Sequence, residues 1–544
     1  MGFFLNNATA YTLYKDETKK PYFVDKTLLL EELFPFMEQG SSYICITRPR
    51  RFGKTVMADM IAAFFSNACD ASSVFASLSI AGSPLYGRHQ NQYPVIHIAF
   101  NELPRRCQNY EQYIARIEDK LTDDLAAAYP EIEIHAEDAV WDILKNIWLA
   151  DSSARFLFVL DEWDYIFHRD FVTEKDKQLY LEFLNNLLKG KPYVRLAYMT
   201  GILPIAKYSS GSERNMFSEY TLATKEKFCD CFGFTETEVD ELYQRYRKCT
   251  EKPRISREGL RLWYDGYQTL TGQRIYNPRS VVCALQDNQL CNYWTSSGPY
   301  DEIFYYIQNN VADVRDDLVR MISGNKVSAK VQEYAATSMR LLTRDEIFSA
   351  MVVYGFLSYE DGRVSIPNKE LMDKFADMLQ KEPSLGYVYQ LARASERMLE
   401  ATKNKDTDTM QEILEYAHDT EVPLLSYNNE AELAAVVNLV YLSARDSYRM
   451  EREDRAGIGY TDFIFYPDQN PAEDGIILEL KVDHTPEDAI RQIKERRYAL
   501  RFQGRPGERA RYTGRILAVG IAYDRKTKKH RCQVEVLREK QAKA

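Results

Sequence analysis

The tripeptide Gly53-Lys54-Thr55 has the residue types of a phosphate-binding loop, and it lies between a strand-like and a helical segment within residues 44–65. Backbone N–H groups at the start of a helix can hold phosphate. The lysine can neutralise the β- and γ-phosphates, and the threonine hydroxyl can coordinate Mg²⁺. The first glycine of the usual pattern falls at Arg48, so the strict motif is not met. On the tripeptide alone, a chance Gly-Lys-Thr on a surface loop stays open.

Two further apolar segments end in residues suited to nucleotide hydrolysis. FLFVLDE ends in Asp161 and Glu162, and VRLAYMTG carries Thr200 near its end. In such a site Asp161 would reach Mg²⁺, Glu162 would orient the attacking water, and Thr200 would sense the γ-phosphate. For the acid pair alone, a strand-end cap is the alternative interpretation. Because the three elements follow in order, each at a strand end, the sequence predicts a nucleotide-binding site.

The segments around these residues alternate between strand-like and helix-like patterns. The strand-like segments are residues 43–47, 94–100, 156–161 and 194–200. Helical segments between them, such as residues 109–128 and 175–188, predict an α/β fold with a mostly parallel sheet. After residue 225 the chain becomes mainly helical. There a helix followed by the hairpin signal Asp361-Gly362 suggests a winged-helix-like unit.

Six segments together resemble an AAA-ATPase-like family found in many bacterial proteins. They are KPYFVDKT, TRPRRFGKT, VLDEWD, MTG, WYDGY and IYNPRS. The resemblance covers about residues 10–300 and implies a P-loop NTPase fold with ATP as the nucleotide. In that family the loop is RPRRFGKS or RPRRFGKT, so the arginine in place of the first glycine agrees with it. Arg50 or Arg51 would contact phosphate or be solvated. Arg214 and Arg279 are candidates for an arginine finger, which the resemblance does not identify.

Near the C-terminus, Asp462, Glu479 and Lys481 fall within two strand-like segments, TDFIFYP and GIILELKV, which a polar turn joins. Glu479 and Lys481 are two residues apart and therefore project from the same strand face. Apolar neighbours predict buried strands, in which unpaired charges are costly. Two carboxylates on paired strands can hold Mg²⁺, and the lysine can steady the developing negative charge. A cross-strand salt bridge on a solvated face is the alternative.

An Asp followed by Glu-x-Lys resembles the PD-(D/E)XK nuclease superfamily. Further shared segments are NNEAEL, AGIGYTDFIF, ELKV, QIKERRY and LAVGIAYDRKTKKH. The resemblance implies a C-terminal α/β nuclease fold, Mg²⁺ or Mn²⁺ bound by Asp462 and Glu479, and Gln492 as the glutamine often found on the next helix. It also implies an acid on the first helix, for which Glu430 is the first choice and Glu432 the second.

Charge near this end favours a polyanionic partner. Residues 491–515 hold nine Lys/Arg against two acids, and residues 525–543 hold eight against two. Tyr498, Phe502 and Tyr512 lie among the first group, so the strip predicts phosphate contacts and base stacking. A solvated helix face with a basic tail is the alternative. The net charge of the chain is −10, so any nucleic-acid surface must be local.

Composition excludes several other classes of protein. Of the 544 residues, 45% are apolar and 28% are charged, which is typical of globular proteins. No uncharged apolar stretch reaches the roughly 18 residues of a membrane span, and the first residues do not resemble a signal peptide. Nine scattered cysteines without zinc-site spacing predict reduced thiols and a cytoplasmic protein.

Four regions are predicted from these patterns. They are an AAA-like ATPase domain (1–225), a helical lid or winged-helix-like region (226–382), a helical connector (383–425) and a nuclease-like domain (426–544). The leading interpretation is an ATP-hydrolysing protein coupled to a metal-dependent nuclease that acts on DNA in preference to RNA. The alternative is a nucleotide-switched nucleic-acid-binding or signalling ATPase whose nuclease domain is inactive. The sequence leaves a homo-oligomer open.

Overall fold

The computed structural model of the protein describes residues 2–39, 42–205, 216–222, 225, 227–294, 307, 314–322, 325–331, 341, 343–381, 387–419, 430–456, 459–468, 470–502 and 512–540. The chain divides into two compact units. Unit 1 comprises Met1–Ile303 and Ser328–Glu370, and unit 2 comprises Phe304–Val327 and Leu371–Ala544. The domain boundaries predicted at residues 225, 382 and 425 remain predictions, and the last two fall outside the described residues.

Unit 1 is built on a five-stranded sheet. Its strands are β1 Tyr43–Thr47, β2 Val95–Ala99, β3 Phe156–Asp161, β4 Val194–Gly201 and β5 Ser218–Tyr220. The order is β2-β3-β4-β1-β5, and every pairing is parallel. Parallel strands are buried on both faces, which explains the continuous apolar runs of β1 and β3. The carboxyl ends of the strands meet at one edge, where the predicted nucleotide-binding residues lie.

Helices precede, separate and follow these strands along the chain. They are α1 Ala8–Glu17, α2 Leu28–Gln39, α3 Lys54–Phe65, α4 Ser72–Phe75, α5 Tyr86–His89, α6 Tyr110–Ala128, α7 Val140–Ala150, α8 Glu174–Leu188, α9 Glu236–Cys249, α10 Arg257–Tyr264 and α11 Pro278–Asp287. Local sequence sets several of their ends. The Asn109 side chain caps α6, and Thr235 with Glu238 forms a capping box at the start of α9. Pro278 begins α11, where the missing N–H of proline costs nothing.

The middle of the chain is mainly helical, as the sequence predicted. Its short elements are β6 Tyr267–Gln268, β7 Arg274–Ile275, α12 Val314–Ile322, β8 Val327–Ser328, α13 Arg344–Tyr354, β9 Ser358–Glu360 and β10 Arg363–Ser365. Strands β9 and β10 pair antiparallel around Asp361 and Gly362, whose φ angles are +47° and +76°. Both residue types tolerate this left-handed conformation, so the hairpin forms where the sequence predicted it.

Unit 2 contains a mixed sheet with strands in chain order. They are β11 Tyr448–Ala456, β12 Gly459–Pro467, β13 Gly475–Val482, β14 Ile516–Asp524 and β15 Lys529–Arg538. The pairing of β13 with β14 is parallel, and the other three are antiparallel. The remaining helices are α14 Lys369–Lys381, α15 Tyr387–Asn404, α16 Thr407–Asp419, α17 Glu430–Val440 and α18 Pro486–Glu495. The parallel sheet, the helical middle and this mixed sheet confirm the predicted α/β fold class.

Among the helices that the structure describes, none combines the length and the apolar character that a membrane span requires.

The aromatic residues of the C-terminal basic strip lie in the core of unit 2. Tyr498 and Phe502 are 0% exposed and Tyr512 is 7% exposed. The three rings pack together with Tyr466, above Ile516 of β14. The prediction that they stack on nucleic-acid bases is therefore wrong, because burial of large apolar rings in the core stabilises the fold and removes them from the surface.

Candidate nucleotide-binding and nuclease sites

Lys54 is the first residue of α3 and is held inside the loop that precedes this helix. Gly53 caps the helix with φ +86°, a left-handed conformation that favours glycine. The Lys54 ammonium donates hydrogen bonds of 2.9 Å to the carbonyl oxygens of Arg48 and Pro49. Burial lowers the pKa of Lys54 to about 8, and nearby carboxylates, Asp164 foremost, act in the opposite direction. A cation held at a helix start can bind phosphate there.

The acids that end β3 lie beside the end of β4. Asp161 is buried and accepts a hydrogen bond from the Thr200 hydroxyl. Glu162 has φ +52°, and its N–H donates to the same hydroxyl oxygen at 3.4 Å. Burial, and next the charge of Asp161, raise the pKa of the Glu162 carboxyl, while Lys54 lowers it. The structure thus brings Asp161, Glu162 and Thr200 together at the carboxyl ends of the neighbouring strands β3 and β4.

A cavity of about 630 Å³ lies in unit 1 beside these residues. Its charged lining includes Arg50, Arg51, Lys54, Glu162, Asp164 and Arg279. Its apolar lining includes Tyr22, Phe23, Val24, Phe234 and Val282. A volume of this size, lined by both apolar and charged side chains, suits a small ligand with an apolar ring and an anionic group.

The predicted nucleotide-site residues divide into two groups by position. Gly53 and Thr55 line the cavity together with the charged residues named above, whereas Asp161 and Thr200 do not line it. Because the Thr200 hydroxyl is engaged by Asp161, its contact with a γ-phosphate stays a prediction. Of the two arginine-finger candidates, Arg279 lines the cavity from α11, and Arg214 lies outside the described residues.

Arg48, which replaces the usual first glycine of the loop, is a buried structural side chain. It is 1% exposed, and its guanidinium donates to the carbonyl oxygens of Thr47 and Tyr220, each at 2.8 Å, and of Phe228 at 3.1 Å. The guanidinium carbon lies 5.1 Å from the centre of the Phe232 ring. Arg48 therefore ties the start of the loop to β5 and to the segment that follows it.

A buried carboxylate joins α11 to the segment that follows it in unit 1. Glu370 is 1% exposed and accepts hydrogen bonds from the N–H groups of Tyr293 at 2.6 Å and Trp294 at 2.8 Å. It also accepts from the Ser280 hydroxyl at 3.0 Å. The Arg51 side chain donates to the Tyr293 carbonyl oxygen. The network therefore positions one cavity arginine directly and α11, which carries another, through Ser280.

The predicted nuclease residues converge on β13. Phe463 pairs with Leu478, so the next residues in register are Asp462 and Glu479. The Asp462 carboxylate accepts the Leu480 N–H at 2.7 Å. The Lys481 ammonium donates to Glu479 Oε1 at 3.2 Å.

The Gln492 amide of α18 also donates to Glu479 Oε1. Glu479, Lys481 and Gln492 therefore meet at one carboxylate, with Asp462 adjacent in register.

The electrostatics of this site favour a cation. Glu479 is 3% exposed, and its Oε2 has no hydrogen-bond partner among the described residues. Burial, and next the charge of Asp462, raise the pKa of Glu479 to about 7, while Lys481 lowers it. A buried carboxylate oxygen beside a second carboxylate fits a divalent cation with oxygen ligands. Asp462 and Glu479 would hold such an ion.

The described side chains alone do not complete a metal site. Within the described ranges, no group of three or more His, Cys, Asp or Glu side chains is placed to hold a metal ion. Glu430 is the first residue of α17, but its side chain and that of Glu432 lie outside the described residues. The choice between these two upstream acids stays a prediction.

Comparison with known proteins assigns both regions to families. Residues 14–210 match the family described as predicted AAA-ATPase, and residues 428–531 match the PD-(D/E)XK nuclease superfamily. The chain joins a predicted AAA-ATPase domain to a PD-(D/E)XK nuclease-superfamily domain. The resemblances stated from the sequence are thereby confirmed for both domains.

Individual proteins match part of the chain at low sequence identity. An uncharacterized protein from the vnfD 5′ region of Azotobacter chroococcum is 27% identical over 282 residues, which cover 51% of each chain. The chain thus spans about half the length of this curated relative. A Walker-type ATPase of Pyrococcus abyssi has a TM-score of 0.34 at 12% identity and covers 63% of this chain and 94% of its own. The ORC2 protein of Aeropyrum pernix has a TM-score of 0.31 at 12% identity, with 65% and 93% covered.

Two buried acids of unit 1 were not singled out from the sequence. Asp164 is 3% exposed and accepts the N–H groups of Ile202 at 2.9 Å and Leu203 at 2.7 Å, so it fixes the segment after β4. Its signal was present, since it closes the VLDEWD segment three residues after Asp161. Glu370 had no such signal, because its partners lie more than 70 positions away.

Proposed function

We propose that the AAA-ATPase domain binds and hydrolyses ATP in the cavity of unit 1. The observation that carries this proposal is one cavity lined by the loop lysine and by an acid at a strand end. Lys54 and Arg50 would neutralise the triphosphate, and Glu162 would orient the attacking water. Thr55 and Asp161 would hold Mg²⁺, which neutralises phosphate charge when bound.

The test separates nucleotide binding from turnover. Lys54→Ala removes the phosphate-neutralising ammonium, so we expect nucleotide binding and hydrolysis to be lost. Glu162→Gln removes only the carboxylate that orients water, so binding should persist while the hydrolysis rate falls by about 10²–10⁴-fold. Binding is measured with a fluorescent ATP analogue and hydrolysis by phosphate release.

The matched control is Lys145→Ala, which removes an exposed lysine from α7 and should change neither quantity. Hydrolysis at the wild-type rate in both site variants would refute the assignment.

For the C-terminal domain, we propose metal-dependent cleavage of phosphodiester bonds, with DNA as the substrate. The supporting observation is the buried, incompletely bonded Glu479 carboxylate beside Asp462, with Lys481 at 3.2 Å. Asp462 and Glu479 would hold Mg²⁺ or Mn²⁺, which supplies Lewis-acid polarisation of the phosphate when bound. Lys481 would stabilise the negative charge that develops in the transition state, and Gln492 would orient Glu479.

Cleavage of supercoiled plasmid, single-stranded DNA and RNA tests this proposal, with and without ATP. EDTA and Asp462→Asn should each abolish cleavage. Lys481→Ala should retain metal binding and lose about 10²–10³ in rate. Glu495→Gln is the matched acid-to-amide control, since this exposed residue ends α18 and should cleave normally. Cleavage that survives EDTA would refute the metal mechanism.

One result would favour the alternative function. If the chain hydrolyses ATP but cleaves none of these substrates, the nuclease domain is inactive. The protein would then be a nucleotide-switched nucleic-acid-binding or signalling ATPase.

Glu430→Ala and Glu432→Ala, compared in the same cleavage assay, identify the upstream acid, because the variant of the true ligand should lose activity.

A further inference from the structure

A row of three residues crosses the sheet of unit 2 next to the proposed nuclease site. Lys481 of β13 pairs with Ala522 of β14, and Ala522 pairs with Arg531 of β15. Paired residues on neighbouring strands project from the same face of a sheet. Lys481 and Arg531 therefore share one face, with only the alanine methyl between them. Two strand spacings place their Cα atoms about 10 Å apart.

Helix α18 packs on this face but begins one row short of it. Glu479 pairs with Gly520, and a Cβ on Gly520 would collide with the carbonyl oxygen of Pro486, the first residue of α18. Arg531, one row nearer the ends of β13 and β14, is exposed. The row of Lys481 and Arg531 thus lies beyond the start of the helix. It is exposed at Arg531, whereas Ala522 is buried and Lys481 is mostly buried.

The hairpin between β14 and β15 extends from the same end of the sheet. The Asp524 carboxylate accepts the N–H groups of Lys526 at 2.8 Å and Thr527 at 2.9 Å, which defines the turn. Arg525 donates its N–H at 3.0 Å and its Nε at 2.6 Å to the carboxylate of Asp483, just after β13. This bidentate contact fixes the hairpin to the segment that follows the catalytic strand.

Lys526, Lys528, Lys529 and Arg531 are exposed and form the hairpin patch. In the part of the chain that the structure describes, none of the four makes an ion pair within 4.0 Å. The acids nearest in sequence, Asp524 and Asp483, are already bonded to backbone N–H groups and to Arg525. Asp483 offsets part of the Lys526 charge, but the four cations and Arg525 outnumber these two carboxylates, so the patch carries net positive charge.

We propose that the hairpin patch binds the sugar–phosphate backbone of duplex DNA beside the nuclease site. This inference rests on the proposed nuclease function. Neutralisation of phosphates by lysine and arginine dominates affinity for DNA and carries no base specificity. Binding of single strands relies on exposed aromatic rings, but Tyr523 in this hairpin is 3% exposed and packs on the buried His530 ring. Cations without accessible rings fit a duplex, whose bases are already stacked.

The test uses the full chain with Lys526, Lys528 and Lys529 all replaced by glutamine, and a separate Arg531→Gln variant. A control variant replaces three exposed lysines of unit 1 by glutamine and so changes the net charge equally; they are Lys145, Lys175 and Lys189. Binding to a labelled duplex is measured by fluorescence anisotropy in EDTA, between about 50 and 200 mM salt.

The logarithm of the binding constant falls linearly with the logarithm of the salt concentration, by about 0.9 for each phosphate that the protein neutralises. We expect the triple variant to make this negative slope shallower by about 2–3. Arg531→Gln should make it shallower by about 1. The control should match the wild type, and ATP hydrolysis should be unchanged in all variants. In plasmid cleavage the triple variant should raise KM with little effect on kcat.

Two outcomes would overturn the inference alone. In the first, the chain cleaves duplex DNA, yet the triple variant and the lysine control show the same salt slope. In the second, the triple variant loses as much affinity for single-stranded DNA as for the duplex. A wild-type chain that neither binds nor cleaves duplex DNA would instead remove the proposed nuclease function, and this inference with it.

Discussion

Replacement of Arg48 with glycine would restore the residue usual at the start of a phosphate-binding loop, and we expect it to destabilise unit 1. In this chain the position does not need the flexibility of glycine, because the arginine side chain fills the interior. Its guanidinium donates to three carbonyl oxygens, on β1, on β5 and at Phe228. Glycine would leave all three buried acceptors without that donor.

The magnitude follows from those hydrogen bonds. A hydrogen bond from a charged donor contributes about 1.5–3 kcal/mol, and a buried carbonyl acceptor left without a donor costs about 1–3 kcal/mol. Arg48 Nε has no partner among the described residues, and burial of the guanidinium is itself costly. The net stabilisation by Arg48 is therefore smaller than the sum of its three hydrogen bonds. We expect a loss of about 3–5 kcal/mol. For a unit of this size that lowers Tm by about 4–7 °C.

Thermal unfolding of the full chain measures this loss, and two variants control it. Arg50→Gly changes the same residue type in the same loop, but Arg50 is half-buried in the cavity wall, so it should lower nucleotide affinity with little change in Tm. It also accounts for the unfolded-state entropy that glycine adds. Arg48→Lys keeps the charge but loses the planar fork, and we expect about half the loss.

A clear result would refute the reasoning. If Arg48→Gly melts within about 1 °C of Arg50→Gly, three buried hydrogen bonds do not contribute as their geometry indicates. If Arg48→Gly retains stability but loses nucleotide binding, the side chain acts on the ligand and not on the fold.

Three further predictions concern buried acids. Glu370→Ala leaves the N–H groups of Tyr293 and Trp294 without their acceptor, so urea denaturation should show a loss of about 2–4 kcal/mol, whereas Glu370→Gln keeps an acceptor oxygen and should lose less. Burial raises the pKa of Glu370 to about 7, so the folded state binds its proton more tightly than the unfolded state. The proton's contribution to the free energy of unfolding is complete below the pKa of the unfolded state and is lost as pH rises through about 7. This decline in stability should be absent in Glu370→Gln. The same pH dependence of stability in both proteins would contradict the prediction. Gln492→Ala frees Glu479 from its amide donor and should slow cleavage more than it weakens Mg²⁺ binding, as single-turnover rates at varied metal would reveal.

Local signals in the sequence predicted much of the fold. The pairs Thr235 with Glu238 and Thr485 with Asp488 mark helix starts that the structure contains as capping boxes. The apolar runs that became β1 and β3 have the predicted bounds. Such signals act over a few residues, so they can be recognised without knowledge of the tertiary structure.

Other features depend on interactions between distant parts of the chain and could not be predicted. The sequence offers no reason why Glu370 should accept a hydrogen bond from Ser280, 90 positions earlier. Nor could it decide whether Tyr498 lies at the surface or in the core, since an aromatic ring among arginines fits both patterns. Residues 304–327 belong to unit 2 although residues 328–370 belong to unit 1, an arrangement without a local signal.

Hydrogen bonding at the buried charges Arg48 and Glu370 differs from that at the nuclease carboxylate Glu479. Arg48 and Glu370 are buried, and backbone groups from distant segments satisfy most of their hydrogen-bonding capacity, so their environment is explained by the fold alone. Glu479 is equally buried, yet one carboxylate oxygen has no partner among the described residues and a second carboxylate, Asp462, lies beside it. A fold gains nothing from a buried acid beside a second, half-buried acid unless a cation or a proton joins them. That imbalance, more than the Glu-x-Lys spacing itself, supports a metal-binding role for Glu479, because the ion pair with Lys481 engages only Oε1 and leaves Oε2 to a further cation.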